Sequence, residues 1–344
     1  MPDASYQSGQ PGRTAPLVSV VMPILNEERH LAEAVAAAFD QQYDGPLEVV
    51  LALGPSTDGT NEIAHQLAAG DARVHLVDNP GGRTADALNR AIKAATGDVV
   101  VRVDGHGLLD PDYVRTAVDT LESTGAANVG GIMDAEGTTP FERAVAAAMT
   151  SRLGVGAARF HTGGQAGPAD TVYLGVFRRS WLDRVGGYDP HFVRAQDWEM
   201  NHRIRRAGGL VWFTPDLRVR YRPRATLKAL SRQYFEYGRW RRVVSRAHRG
   251  TVNLRYLAAP VAVAGVVLGT VAGVAVTPWA LVLPTGYVAI VFAGSATVGS
   301  GLGAAERVRL PLVLATMHMS WGIGFLTSPA SLVPDQLRHN TSEH

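Results

Sequence analysis

The sequence predicts an α/β fold, a mostly parallel sheet with flanking helices, followed by C-terminal transmembrane helices. Three observations carry this. Short apolar strands alternate with amphipathic helices over roughly the first third of the chain. Polar turns close three of those strands at their carboxyl ends. From residue 256 to residue 305 there is no charged side chain.

The elements follow in order. "VSVVMP" (18–23) is an apolar strand, and "NEERHLAEAVAAAF" places Leu31, Ala34, Val35 and Ala38 on one helix face. "LEVVLAL" is the second strand, "TNEIAHQLAA" a helix and "RVHLVDN" the third strand. "GGRTADALNRAIKAAT" opens on glycines and continues as a helix, "DVVVRVD" is the fourth strand, and "DPDYVRTAVDTLEST" is the helix after it. This alternation implies a parallel sheet covered on both faces. Ligands on such sheets bind beyond the carboxyl ends of the strands. The polar turns there are Asn26-Glu27, residues 56–59 and Asp104-Gly105-His106. Further on, "ANVGGIM" reads as a strand, and "TPFERAVAAAMTS" as a helix capped by Thr139 with Pro140 at its first position. "RFHTGGQAGPADT" has the length of a functional flap, and "RAQDWEMNHRIRRAGG" is a helix ended by Gly208-Gly209.

With 344 residues, 46% of them hydrophobic, the chain has material for a large core. It contains no cysteine, which excludes disulfides, thiolate metal sites and cysteine nucleophiles. The net charge is only +2, but residues 218–255 hold twelve Arg and Lys against the single acid Glu236. Two runs of span length follow, "YLAAPVAVAGVVLGTVAGVAV" and "WALVLPTGYVAIVFAGSATVG", each near the roughly 20 residues a bilayer requires. A third apolar run, 310–333, is weakened by Met317-His318-Met319 and Ser320. Basic residues flanking a span stay on the cytoplasmic side, and Arg307 and Arg309 in the second loop match that side. The expected organisation is a disordered lead-in at 1–16, an α/β domain at 17–225, a basic interfacial segment at 226–255, two or three spans within 256–333, and a tail at 334–344. The lead-in has no apolar run or basic start, so no secretory signal is expected. The expected location is the plasma membrane, with the large domain cytoplasmic and no nucleic-acid partner.

The stretches "VSVVMPILNEE", "STDGTNEIA", "NPGGRTADALNRAIKAATGDVVVRVDGH", "VGGYD" and "QDWEMNHRIRRAGG" resemble, in order and spacing, family 2 glycosyltransferases of the GT-A fold. The succeeding spans look like the succinoglycan-type branch. The resemblance implies an inverting transfer of a sugar from a nucleotide-sugar donor, with UDP expected, to a lipid-linked glycan acceptor. Pro23, Asn26 and Glu27 match the first nucleotide loop, and Asp58 matches the second. Arg83, at a helix start where anions are favoured, stands where the family often has Lys near the nucleotide. Asp104 matches the first acid of Asp-x-Asp, the motif that holds a divalent metal, Mn²⁺ or Mg²⁺, on the leaving diphosphate. His106 replaces the second acid. It is a metal ligand, a phosphate partner or a turn residue, and as a ligand it suits Mn²⁺ better than Mg²⁺.

Asp197 matches the catalytic base. Glu199 diverges from it by about 200° around a helix, so only one of the two can face the acceptor. In "EYGRW", Arg239 and Trp240 match the acceptor-site residues of a Gln-x-x-Arg-Trp motif, with Glu236 in place of Gln. The family's usual aspartate ahead of the second loop is missing, since residues 51–56 contain no acid. Two other readings stand beside this one, a polyprenyl-phosphate monosaccharide synthase and a non-catalytic membrane scaffold.

Overall fold

The computed structural model describes residues 15–334, so the calls on the lead-in before residue 15 and on the tail after residue 334 lie outside the described residues. The first half alternates as expected: β1 (Val18–Ile24), α1 (Leu31–Phe39), β2 (Leu47–Leu53), α2 (Thr60–Gly70), β3 (Val74–Asp78), α3 (Thr84–Ala94) and β4 (Val99–Arg102). The strands lie side by side in the order β3-β2-β1-β4, all parallel. Val20 sits between Val49 and Val101 in register, and all three are fully buried. Continuous β-branched runs behave this way where both sheet faces are covered by helices. Alternate residues of β1 point to opposite cores: Val18, Val20 and Met22 pack with Leu31, Ala34, Val35 and Ala38, and Val21 packs with Leu88 and Ala91 of α3.

The chain continues through β5 (Leu108–Leu109), α4 (Tyr113–Thr124), β6 (Asn128–Ala135), α5 (Pro140–Met149), α6 (Arg152–Val155), α7 (Arg159–Thr162), β7 (Gly167–Pro168), β8 (Val176–Arg178), α8 (Arg179–Val185), α9 (Gln196–Arg206) and β9 (Val211–Tyr221). These strands extend the sheet beyond β4 in the order β8-β6-β9-β5, with β7 on β9. β8 is antiparallel to both β4 and β6, so the sheet is mixed. Thr139 caps α5 in a capping box with Glu142, and Pro140 takes the first helical position.

α10 (Leu227–Ala247), α11 (Ala258–Ala275), α12 (Val282–Val298) and α13 (Ala304–Leu326) complete the described chain. Two stretches are long and apolar enough to cross a bilayer, Leu254–Ala275 and Pro278–Val298, and only 22% and 11% of their apolar windows are buried, unlike core helices. Their outward faces expose Val267, Leu268, Val271, Val274, Ile290 and Phe292. An apolar surface of that extent needs a lipid or protein cover. Gly269 and Gly273 bring α11 against Leu281 and Leu283, the small-residue packing favoured between membrane helices.

The third apolar run behaves differently. α13 packs against α5, α10, α11 and α12, with Leu310, Val313, Leu314 and Met317 fully buried. Glu306 pairs with Arg143 of α5 at 2.6 Å, and the His318 ring bonds the Leu153 carbonyl at 2.8 Å. Gly238 of α10 abuts the Trp321 backbone, and Gly324 abuts that of Phe235. Among the described residues, α13 is not one of the two stretches apolar enough to cross a bilayer, which leaves two candidate spans.

Candidate active site

A buried arginine joins the carboxyl end of β4 to the start of α9. Arg102 ends β4 as the one charge among its valines. Its guanidinium donates to Oδ1 of Asp197 and, at 3.1 Å, to Oδ1 of Asp104. It is 5% exposed and lies 5.7 Å from the ring centroid of Tyr188. Tyr188 belongs to the "VGGYD" turn, where Gly186 and Gly187 take φ of 78° and 70°. Two bonds from Asn89 of α3 to the backbone of Tyr188, at 2.7 and 2.8 Å, fix that turn.

Asp197 enters from the first turn of α9. The preceding Ala195 has φ 61°, a left-handed conformation that costs about 1–2 kcal/mol for a residue with a Cβ. Burial pushes the Asp197 carboxyl up to about 6, against the opposing pull of Arg102, and Asp104 adds to the rise. A carboxylate near that value is ionised at neutral pH and still basic enough to accept a proton. Glu199 points elsewhere. It is 2% exposed and pairs with Arg203 at 2.7 Å and with His248, at the end of α10, at 3.4 Å.

The first two polar loops are stitched together. Asn26, at φ 56°, donates its N–H to Ser56 Oγ and accepts the Thr57 N–H at 2.8 Å. Glu27 N–H donates to Thr60 Oγ1 at 2.7 Å. Asp58 accepts from the Thr60 hydroxyl and from the Thr60 and Glu28 N–H groups, and those bonds, the hydroxyl's first, hold its carboxyl below the usual range. Asn26 and Asp58 are therefore engaged in loop geometry. Pro23 lies half-buried near the end of β1, level with Ala52. Arg83 is exposed at the start of α3, where Gly82 packs on Pro55 of the second loop.

The Glu27 carboxylate lies 2.7 Å from Nδ1 of His106. Gly105 permits this approach, since a Cβ there would meet the Glu27 side chain. The Glu27 bond raises the tendency of His106 to hold a proton, and burial and Arg224 oppose it. A histidine whose Nδ1–H is fixed on a carboxylate presents Nε2 as its lone-pair nitrogen, the usual arrangement behind a metal-binding imidazole. Among the described residues no group of three or more His, Asp or Glu side chains is arranged to hold a metal alone. Asp104 and His106 form a two-donor set. That set fits a divalent ion that takes its other ligands from diphosphate and water.

Trp240 is 6% exposed and packs with Phe192, Trp198 and Val243, so no sugar can stack on it without side-chain movement. Arg239 pairs with Glu236 at 3.6 Å. Tyr237, one turn before Trp240, is 38% exposed, and the Gln233 amide bonds both its hydroxyl and that of Tyr221. Arg194 and Arg224 stand exposed near Tyr237. Arg102, Tyr188 and Tyr237 lie within "DVVVRVD", "VGGYD" and "EYGRW", but the motif resemblance gave none of them a role. Arg102 stands out in sequence as an isolated charge in an apolar strand.

Residues 19–186 match the family described as Glycosyl transferase family 2. The succinoglycan biosynthesis protein ExoA of Rhizobium meliloti is 35% identical over 314 residues, which are 89% of this chain and 93% of that protein. The chain belongs to glycosyl transferase family 2. It is therefore a glycosyltransferase with the GT-A fold. A dolichyl N-acetyl-alpha-D-glucosaminyl phosphate 3-beta-D-2,3-diacetamido-2,3-dideoxy-beta-D-glucuronosyltransferase of Methanococcus voltae is 23% identical over 70% of this family 2 chain and 77% of its own. The fold is shared with the mannosyltransferase PcManGT of Pyrobaculum calidifontis, solved in complex with GDP-Man and Mn²⁺, at TM-score 0.57 and 21% identity, covering 92% of this chain and 91% of that one.

Proposed function

We propose that this glycosyltransferase moves a sugar, with inversion, from a nucleotide-sugar donor to a lipid-linked glycan at the cytoplasmic membrane face, for exopolysaccharide or cell-envelope glycan synthesis. The observation that carries the reading is the Asp104–Arg102–Asp197 chain, which sets a candidate base beside a candidate diphosphate site. The acceptor hydroxyl oxygen attacks the anomeric carbon, the bond from that carbon to the diphosphate oxygen breaks, and the hydroxyl proton passes to Asp197. Arg102 holds the base in place and fixes its distance from Asp104.

The stitched loops bearing Pro23, Asn26, Glu27 and Asp58 form the floor for base and ribose, and Arg83 stands at their edge. Asp104 and Nε2 of His106 would hold the divalent metal, which neutralises charge on the leaving diphosphate; the imidazole favours Mn²⁺ over Mg²⁺. Glu27 fixes the ring of His106, and Arg194 and Arg224 add positive charge at the rim. Tyr237 offers the exposed aromatic face for the acceptor sugar that the motif assigned to Trp240, and Arg239 lies between them in sequence. The hairpin α11–α12 anchors the enzyme, and the basic segment 218–255 keeps the domain on the cytoplasmic side.

The test is a donor panel. Purified full-length protein in lipid is given UDP- and GDP-sugars with and without Mn²⁺, and nucleoside diphosphate release is measured. Metal-dependent release from one donor class supports the reading. Release from none, with donors bound, favours a scaffold role.

A further inference from the structure

A second charged cavity lies behind α9, outside the cleft described above. It measures about 610 Å³ and opens between α9, α10 and the loop 249–254. None of the strand-end residues lines it, and Asp197 leaves α9 on a different face. Among the described residues that line it, Arg205, Arg206 and Arg241 stand with the carboxylate of Asp170, and Arg249 lies on the rim loop. Asp170 pairs with Arg205 at 3.2 Å. His202 adds no charge near neutrality, because burial and nearby cations push it down to about 4.

Arg241 is the distinctive group. It is 7% exposed, and its guanidinium lies between two rings, 4.1 Å from the centroid of Trp198 and 3.7 Å from that of Tyr256. Its Nε is buried without a hydrogen-bond partner. Burial pulls its affinity for the proton down to about 10, with Arg255 adding to the fall and Tyr256 opposing it. A buried cation normally has a paired anion, and none of the ion pairs among the described residues supplies one to Arg241. The Nε atoms of Arg205 and Arg255 nearby are also buried and unpartnered.

The location narrows the ligand. The rim loop runs directly into the first candidate span at Leu254, which is 84% exposed, and Val252 beside it is 45% exposed. The mouth of the cavity therefore carries apolar side chains where the chain enters the membrane. Arginine forks match phosphate oxygens, and basic groups at a membrane surface attract anionic headgroups.

We propose that this cavity binds the phosphate group of an anionic membrane lipid, at a site separate from the nucleotide-sugar cleft. The proposal rests on the reading that α11 and α12 lie in the bilayer.

Full-length protein in nanodiscs of phosphatidylcholine with phosphatidylglycerol is released into mild detergent, and retained lipid is counted by native mass spectrometry. Wild type and Arg90→Gln, a surface control on α3, retain phosphatidylglycerol. Arg241→Gln and the exposed rim variant Arg206→Gln lose affinity for it by about tenfold each, the effect of one charge-assisted bond. Arg206→Gln removes no buried contact, so its thermal unfolding matches wild type and its loss of lipid is not a folding defect. Equal retention in all four proteins overturns the site. Displacement of a bound anion by inorganic pyrophosphate, with no lipid retained by wild type, makes the ligand a soluble phosphate and overturns the lipid source. Failure of the chain to co-elute with the discs refutes the membrane reading and the lipid site with it.

Discussion

Arg102 and Arg241 are both buried arginines set against aromatic rings, and they differ in their counter-charges. Arg102 has two carboxylates from separate elements. Among the described residues, Arg241 has two rings and no ion pair. A buried charge whose balance is internal fixes geometry whether or not substrate is present. A buried charge without one adapts when an anion arrives. On the proposed reading, the difference separates a preformed catalytic frame at the strand ends from a cationic cavity beside the candidate membrane hairpin.

Methionine at each position separates the two most sharply. Arg102→Met leaves Asp104 and Asp197 uncompensated and should cost about 3–5 kcal/mol of stability, read by denaturant unfolding in detergent. Arg241→Met keeps the packing and removes an unbalanced charge, so in neutral detergent it should change stability by less than about 1 kcal/mol or raise it slightly. Equal losses would mean that Arg241 has a protein counter-charge and would erase the contrast.

Gly238→Leu comes next. A side chain there meets the Trp321 backbone and should cost about 1–3 kcal/mol by separating α10 from α13, measured as a lower midpoint with donor affinity unchanged in the folded fraction. Altered donor affinity would show that the α10–α13 contact shapes the strand-end cleft.

The pH profile tests the frame itself. Asp197 acts as base only when ionised, and its carboxyl is raised to about 6. The rate should be flat above that value and fall about tenfold per pH unit below it. A limb near the ordinary carboxylate value would mean that Arg102 outweighs burial.

The smallest effect is expected from His106→Asp, which restores the two-acid pattern. Metal-dependent release should be kept within about tenfold, with Mg²⁺ gaining on Mn²⁺. Loss of activity with the metal response unchanged would favour a phosphate contact for His106.

The parallel half of the sheet was legible because valine runs and polar turns report local structure. Asp104 and Asp197 were legible as motif positions. Their connection was not, because Arg102 lies 95 positions from Asp197 in sequence, and only the packed fold brings them together. Trp240 shows the same limit: a motif names a residue type, while burial by Phe192 and Val243 decides which ring is exposed, and that ring is Tyr237. The third apolar run stood as the weakest candidate span, and its helix is not among the two stretches apolar enough to cross a bilayer. His318, one of the polar residues that weakened the run, bonds the Leu153 carbonyl, and Glu306 just ahead of the run pairs with Arg143. The long strand β9 was passed over because alternating arginines mask its apolar face, Leu217, Val219 and Tyr221.

The central claim is that Asp197, held by Arg102, is the base of the transfer. Single-turnover sugar transfer by Asp197→Asn, with donor affinity measured by calorimetry in parallel, addresses it directly. The prediction is unchanged donor affinity and a transfer rate lower by about 10²–10⁴-fold. Transfer at the wild-type rate by the folded variant would contradict it.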